Sequence, residues 1–139
     1  MRELSPDAKN IKVLVVDDAP SMRSLLVAIL KSFGIQNVYE STDGNSAIAT
    51  LEKRVVDLVI CDWEMPKKDG LELFSEIRKQ ESYKNVPFIL VTSMAELDKV
   101  KVAIKAGVEH YIVKPFKEDT IFNEISGIFD VVTEEKQVP

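Results

Sequence analysis

Five side chains able to do chemistry each stand where an apolar run stops. Asp17 and Asp18 follow IKVLVV (11–16), Asp62 follows a run that ends at Cys61, Thr92 follows Val91, and Lys114 follows Tyr111–Val113. If the runs are parallel neighbours, these five meet at one rim. Three carboxylates brought that close repel one another, which favours protonation of one of them unless a cation intervenes. A hard divalent ion resolves the conflict: Mg²⁺ accepts a few carboxylate oxygens, retains several waters and leaves room for a phosphate, whereas Ca²⁺ asks for a larger oxygen cage. A carboxylate can attack phosphorus to form an aspartyl phosphate when metal, ammonium and hydroxyl donors neutralise the charge on the transferred oxygens. Mg²⁺, Lys114 and Thr92 are the expected donors. Singly, each residue has an ordinary explanation, since acids cap helices and threonine ends strands. Together they define a candidate site.

The elements that must position them are legible as alternating patterns. IKVLVV reads as a strand buried on both faces. From Ser21 to Phe33, Met22, Leu25, Leu26, Ile29, Leu30 and Phe33 recur at helical spacing, with Pro20 near the start and Gly34 placed to cap. Similar pairs follow: strand Asn37–Glu40 with a helix through Ala47, Ile48 and Leu51, then strand Val55–Cys61 with one through Leu71, Phe74 and Ile77. Strand Val86–Val91 precedes a helix through Leu97, Val100 and Ile104, closed by Gly107. Strand Tyr111–Val113 precedes one through Ile121, Ile125 and Ile128. Asp43-Gly44 and Asp69-Gly70 mark turns. Five strands alternating with five helices demand a parallel sheet, right-handed crossovers and helices on both faces, an α/β three-layer architecture. Ligands then bind beyond the C-terminal strand ends.

Bulk properties narrow the function further. A chain of 139 residues fits one domain, with a globular part expected over 11–129 between an N-terminal extension (1–10) and a tail or linker start (130–139, containing TEEKQVP). The hydrophobic and charged fractions, 45% and 29%, and the mean hydropathy of -0.03 are those of a soluble domain. Eighteen basic against 23 acidic residues, a net charge of -5, leave no electrostatic footprint for direct nucleic-acid binding. MRELSPDAKN lacks the apolar core of a secretory signal and no run is long enough to span a membrane, so a cytoplasmic location is expected. One cysteine (Cys61) and one histidine (His110) exclude an internal disulfide and make structural zinc untenable. Cys61 reads as a small buried hydrophobe and His110 as a surface residue.

VVDD (15–18), DWEMPKKDG (62–70), VTS (91–93) and KPF (114–116) resemble the receiver domains of two-component response regulators, over roughly residues 11–129. SMRSLL entering the first helix, Trp63 after the acceptor, and the spacing of Thr92, Tyr111 and Lys114 are similar in particular to CheY-like chemotaxis regulators. The resemblance implies a flavodoxin-like (βα)5 fold with strand order 2-1-3-4-5. It implies that Asp62 accepts a phosphoryl group from a histidine kinase, with acetyl phosphate as an alternative donor. Asp18 and Asp62 would ligate Mg²⁺ directly, Asp17 through a water, and Glu64 through its backbone carbonyl. A cis Lys114–Pro115 peptide is also implied. Glu64 departs from the asparagine usual at that place, which bears on how fast the phosphoryl group is lost.

A phosphoryl group adds close to two negative charges and strong acceptors. By the resemblance, Thr92 swings toward it and Tyr111 fills the space vacated, a two-state switch of the surface formed by the fourth helix, fifth strand and fifth helix of the alternating units. Val100, Ile104 and Val108 are expected to flank Tyr111 on a partner-binding face. The resemblance implies a flagellar-motor switch protein as target and a monomeric, non-enzymatic regulator. Two rivals stand beside this reading. A receiver module belonging to a longer regulator would have the same site with a transcriptional or enzymatic output. Haloacid-dehalogenase-like phosphatases also form an aspartyl phosphate and carry D-x-E, as in Asp62-Trp63-Glu64, but on their first strand, where this chain has Asp17-Asp18.

Overall fold

The computed structural model describes residues 4–93 and 97–129, with the side chain of Leu97 excepted; the expected tail 130–139 lies outside them. In chain order the elements are α1 (Pro6–Lys9), β1 (Lys12–Val16), α2 (Pro20–Ser32), β2 (Asn37–Ser41), α3 (Gly44–Lys53), β3 (Leu58–Asp62), α4 (Gly70–Arg78), β4 (Phe88–Ser93), α5 (Leu97–Lys105), β5 (His110–Lys114) and α6 (Glu118–Phe129). The strands form one parallel sheet in the order β2-β1-β3-β4-β5. The flavodoxin-like expectation holds, and the order reverses between β1 and β3, the place where open α/β sheets bind ligands.

Each central strand reads as a continuous apolar run because its alternate residues enter two different cores. Val13, Val15, Leu58, Ile60, Ile89, Val91 and Ile112 face one side, with Leu26, Ile29, Leu30 and Phe33 of α2 and Ile121 and Ile125 of α6. Leu14, Val16, Val59, Cys61, Phe88 and Leu90 face the other, with Ala47, Leu51, Leu73, Phe74, Ile77, Val100 and Ala103 of α3, α4 and α5. The β1–β3 register is pinned at its lower end, where Lys12 N–H donates to Asp57 Oδ2 (2.8 Å) and Asp57 N–H to the Lys12 carbonyl (2.7 Å).

Three expectations need correction. The N-terminal stretch contributes a sixth helix: Ser5 caps α1, and Leu4 and Ala8 are buried in the α2/α6 core. Four residues are too short to carry a periodic signal. Leu25, counted in the apolar stripe of α2, is 47% exposed, since the helix offers the sheet an arc centred on Leu26, Ile29, Leu30 and Phe33. The third and fourth strands begin later than their apolar runs, because Val55 and Val56 lie in the connection that leads into β3 and Val86 in the one that leads into β4.

Local chemistry sets the helix ends. Asp43 and Asp69 form capping boxes with Ser46 and Glu72. Gly34 and Gly107 take φ of 98° and 108° and close α2 and α5, with Ile35 and Val108 donating back to Leu30 and Ala103. Gly70 is required for a different reason. Its N–H donates to the Trp63 carbonyl, and a Cβ there would lie 2.5 Å from the Asp62 carbonyl oxygen and 2.8 Å from Leu90 Cδ1. Gly70→Ala is expected to destabilise the protein by about 1–3 kcal/mol despite alanine's better helix propensity; a urea midpoint equal to or above wild type would show that α4 can shift without loss.

Candidate active site

Strand parity and register assemble the site. Along β1, β3 and β5 the residues on the α2/α6 face are Val13 and Val15, Leu58 and Ile60, and Ile112, so the next residues of that parity, Asp17, Asp62 and Lys114, emerge on the same side. Val16 pairs with Cys61, which sets Asp17 beside Asp62 at adjoining strand ends. Lys114 belongs to the second strand beyond, roughly 10 Å across the sheet at normal strand spacing. Its long stem closes that gap, and Nζ lies 2.8 Å from Asp62 Oδ1. Thr92, of opposite parity, is buried at 1% exposure between β3 and β5.

Asp17, Asp18 and Asp62 each offer a carboxylate oxygen, and these oxygens lie within 4.8 Å of one another. Asp17 and Asp62 are buried, Asp18 exposed. Asp17 Oδ1 accepts from the Ala19 N–H (2.9 Å), while its buried Oδ2 has no hydrogen-bond partner among the described residues. Burial pushes the Asp62 carboxyl above its ordinary value; the Lys114 hydrogen bond and charge oppose this, and the charges of Asp17 and Asp18 add to it. A buried carboxylate oxygen left without a described partner in a cluster of three acids fits a hard oxygen-seeking cation. Glu64 is exposed and, with Trp63 and Asp69, lines a cleft of about 500 Å³ over Asp18 and Asp62. Lys67, at φ 69°, turns the chain back between Glu64 and α4.

The remaining sequence-level candidates divide. The Lys114–Pro115 peptide is cis. Tyr111 is 42% and Ile104 53% exposed, but Val100 (7%) and Val108 (3%) belong to the core and offer nothing to a partner. Their spacing is that of the buried edge of α5 and its closing turn; the apolar residue exposed beside Ile104 is Val102 at 57%. His110 is half-buried, its Nδ1 3.3 Å from Glu124 of α6, and is thus not a free surface residue. Cys61 is buried, and burial first, then the neighbouring acids, push its thiol well up. Two residues went unnoticed in the sequence. Arg23, in the first turns of α2, donates to the Asp17 carbonyl (2.9 Å) and to Glu40 (3.2 Å). Lys99 lines the cleft from α5. Their only signal was a position near the start of a helix that follows an active strand end.

Comparison with known proteins agrees with this geometry. The family model for the response regulator receiver domain matches residues 13–126. The chemotaxis protein CheY-3 of Vibrio cholerae serotype O1 is 38% identical over 122 residues, 88% of this chain and 94% of that protein. The chemotaxis protein CheY of Pseudomonas aeruginosa is 35% identical over 122 residues, 88% and 98% of the two. Among solved structures, CheY4 of Vibrio cholerae superposes with a TM-score of 0.79 at 30% identity, covering 86% of this chain and 99% of that one. The receiver domain of a sensor histidine kinase from Pseudomonas aeruginosa superposes at 0.76 with 30% identity, over 85% and 96%, and holds a magnesium ion in its active-site cleft. With the acidic strand ends, the paired lysine and the 2-1-3-4-5 sheet all in agreement, this chain belongs to the family of response regulator receiver domains.

Proposed function

We propose that this receiver domain is a phosphoacceptor that takes a phosphoryl group on Asp62 from a histidine kinase and signals through its α5-β5-α6 surface. The observation that carries the reading is the Asp62 carboxylate, held 2.8 Å from Lys114 Nζ beside two further acids, one of which has a buried oxygen without a partner among the described residues. Mg²⁺ bound there would be held by Asp18, Asp62 and the Glu64 carbonyl, with Asp17 reached through water, and would neutralise charge on the transferred oxygens. An Asp62 oxygen attacks phosphorus as the P–N bond of the donor's phosphohistidine breaks, its electron pair returning to the imidazole. Lys114 moves with the new charge, exchanging a carboxylate oxygen for a phosphoryl oxygen. Thr92 donates its hydroxyl from the neighbouring strand, and Tyr111, now outward, follows into the space it leaves.

The chemotaxis relatives support a motor switch protein as target, with Tyr111, Ile104 and the neighbouring Val102 as exposed apolar contacts. Similar receiver domains of sensor kinases support a second reading, a module of a longer regulator, with the same site chemistry and a different output. A monomeric cytoplasmic protein is proposed for the first; among the described residues no helix is long and apolar enough to cross a membrane.

Three outcomes test the site. Trp63 is the sole tryptophan and sits beside Asp62, so its fluorescence should change on adding Mg²⁺ and then beryllofluoride, and the beryllofluoride response should vanish in Asp62→Asn; a silent wild type would rule out phosphoacceptor chemistry. Glu64→Asn should alter the decay of the aspartyl phosphate severalfold, because Glu64 is exposed on the cleft that opens over Asp62 and would bear on the water that attacks there; equal lifetimes would remove Glu64 from the mechanism. The third concerns pH. A carboxyl whose folded-state pKa is raised carries no ionisation penalty below its unfolded value, and the full penalty above its folded one. In Mg²⁺-free buffer Asp62→Asn should therefore be more stable than wild type at neutral pH, the difference shrinking as pH falls toward the ordinary value of 3.8. Urea unfolding across pH would contradict this if the variant gained nothing at neutral pH.

A further inference from the structure

Lys99 forms part of the α5 wall of the cleft above Asp18 and Asp62. Helix rotation puts it there. Val100 and Ala103 belong to the buried core with Phe74 and Leu90 and so fix how α5 is turned. Lys99 precedes Val100 by one residue, about 100° around the axis, which leaves it exposed yet beside the cleft. Among the described residues lining the cleft, Asp18, Asp62, Glu64 and Asp69 are acids and Lys99 is the one cation. The ammonium of Lys114 approaches Asp62 from β5 and is engaged with Oδ1.

An entrance lined by acids repels any phosphodonor, because the group to be transferred is itself anionic. A cation on the entrance wall offsets that repulsion during approach, so its effect falls on association and grows with the donor's charge. The same cation opposes the arrival of Mg²⁺. Resting on the phosphoacceptor reading, we propose that Lys99 is a specificity-determining residue of this site, favouring dianionic phosphodonors at the expense of divalent-cation affinity.

The test compares wild type, Lys99→Ala, Lys99→Arg and the control Lys101→Ala, a neighbouring exposed lysine of α5. Two quantities are read: Mg²⁺ affinity from Trp63 fluorescence, and phosphorylation rate with dianionic acetyl phosphate and the less charged phosphoramidate. Lys99→Ala should slow acetyl phosphate roughly threefold at low salt, slow phosphoramidate less, and tighten Mg²⁺ by a similar factor. Both effects should fade near about 0.5 M salt. Lys99→Arg should match wild type and Lys101→Ala should lie close to it. The proposal is overturned if Lys99→Ala behaves as Lys101→Ala, or if it weakens Mg²⁺ and slows both donors alike, as a loosened α5 would. A wild type that takes no phosphoryl group on Asp62 would overturn the phosphoacceptor reading itself, and this proposal with it.

Discussion

Three carboxylates crowded at the mouth of a buried sheet are the constraint on which this structure turns. Asp17 and Asp62 are withdrawn from water and face Asp18 across less than 5 Å. Burial first, and the like charges of Asp17 and Asp18 after it, raise the cost of ionising Asp62, and its carboxyl is displaced upward. Lys114 relieves part of the cost, and the Oδ2 of Asp17, without a partner among the described residues, marks the part that remains. A cation at the cluster, or a group that disperses the charge, would lower that cost.

The scaffold can bear this because everything beneath the rim is apolar and paired. Strands β1, β3 and β4 are buried on both faces, so the register cannot slip without turning a core residue toward the wrong helix layer. The same alternation that keeps Val13, Val15, Leu58 and Ile60 on one side delivers Asp17 and Asp62 to that side at the strand ends. Arg23 ties α2 to the Asp17 carbonyl, and Gly70 lets α4 start against the Asp62 carbonyl. The rim residues of β1 and β3 are thus held by strands buried on both faces, whereas those of β5 are less enclosed.

That asymmetry gives the site a direction. On the β1 side, the acids are fixed by buried strands. On the β5 side, Lys114, Val113 and Tyr111 are only partly buried or exposed, and α5 carries exposed Val102 and Ile104. Under the proposed phosphoacceptor function, a change in charge at Asp62 would act through Lys114 and Thr92 on that less enclosed side. Packed interiors transmit such changes as discrete rearrangements rather than gradual deformation.

Much of this was legible in one dimension. Apolar runs ending in Asp17, Asp18, Asp62, Thr92 and Lys114 announce buried parallel strands and a rim of chemistry, because burial on both faces erases the polar alternation of an open sheet. The helix stops at Gly34 and Gly107 are likewise local, set by a backbone conformation that glycine adopts freely. What periodicity could not decide is which apolar residues are buried. Leu25, Val100 and Val108 fall at equivalent helical or turn spacings, yet Leu25 is exposed and the two valines are core, since the answer depends on how each helix is rotated against the sheet. The burial of Leu4 and Ala8, the pairing of His110 with Glu124, and the approach of Arg23 and Lys99 to the acids likewise join residues far apart in sequence or turned by packing. The sequence by itself determined the elements and the chemistry at their ends; only the tertiary structure decided which side chains surround that chemistry, because helix rotation and strand register are fixed by the whole core at once.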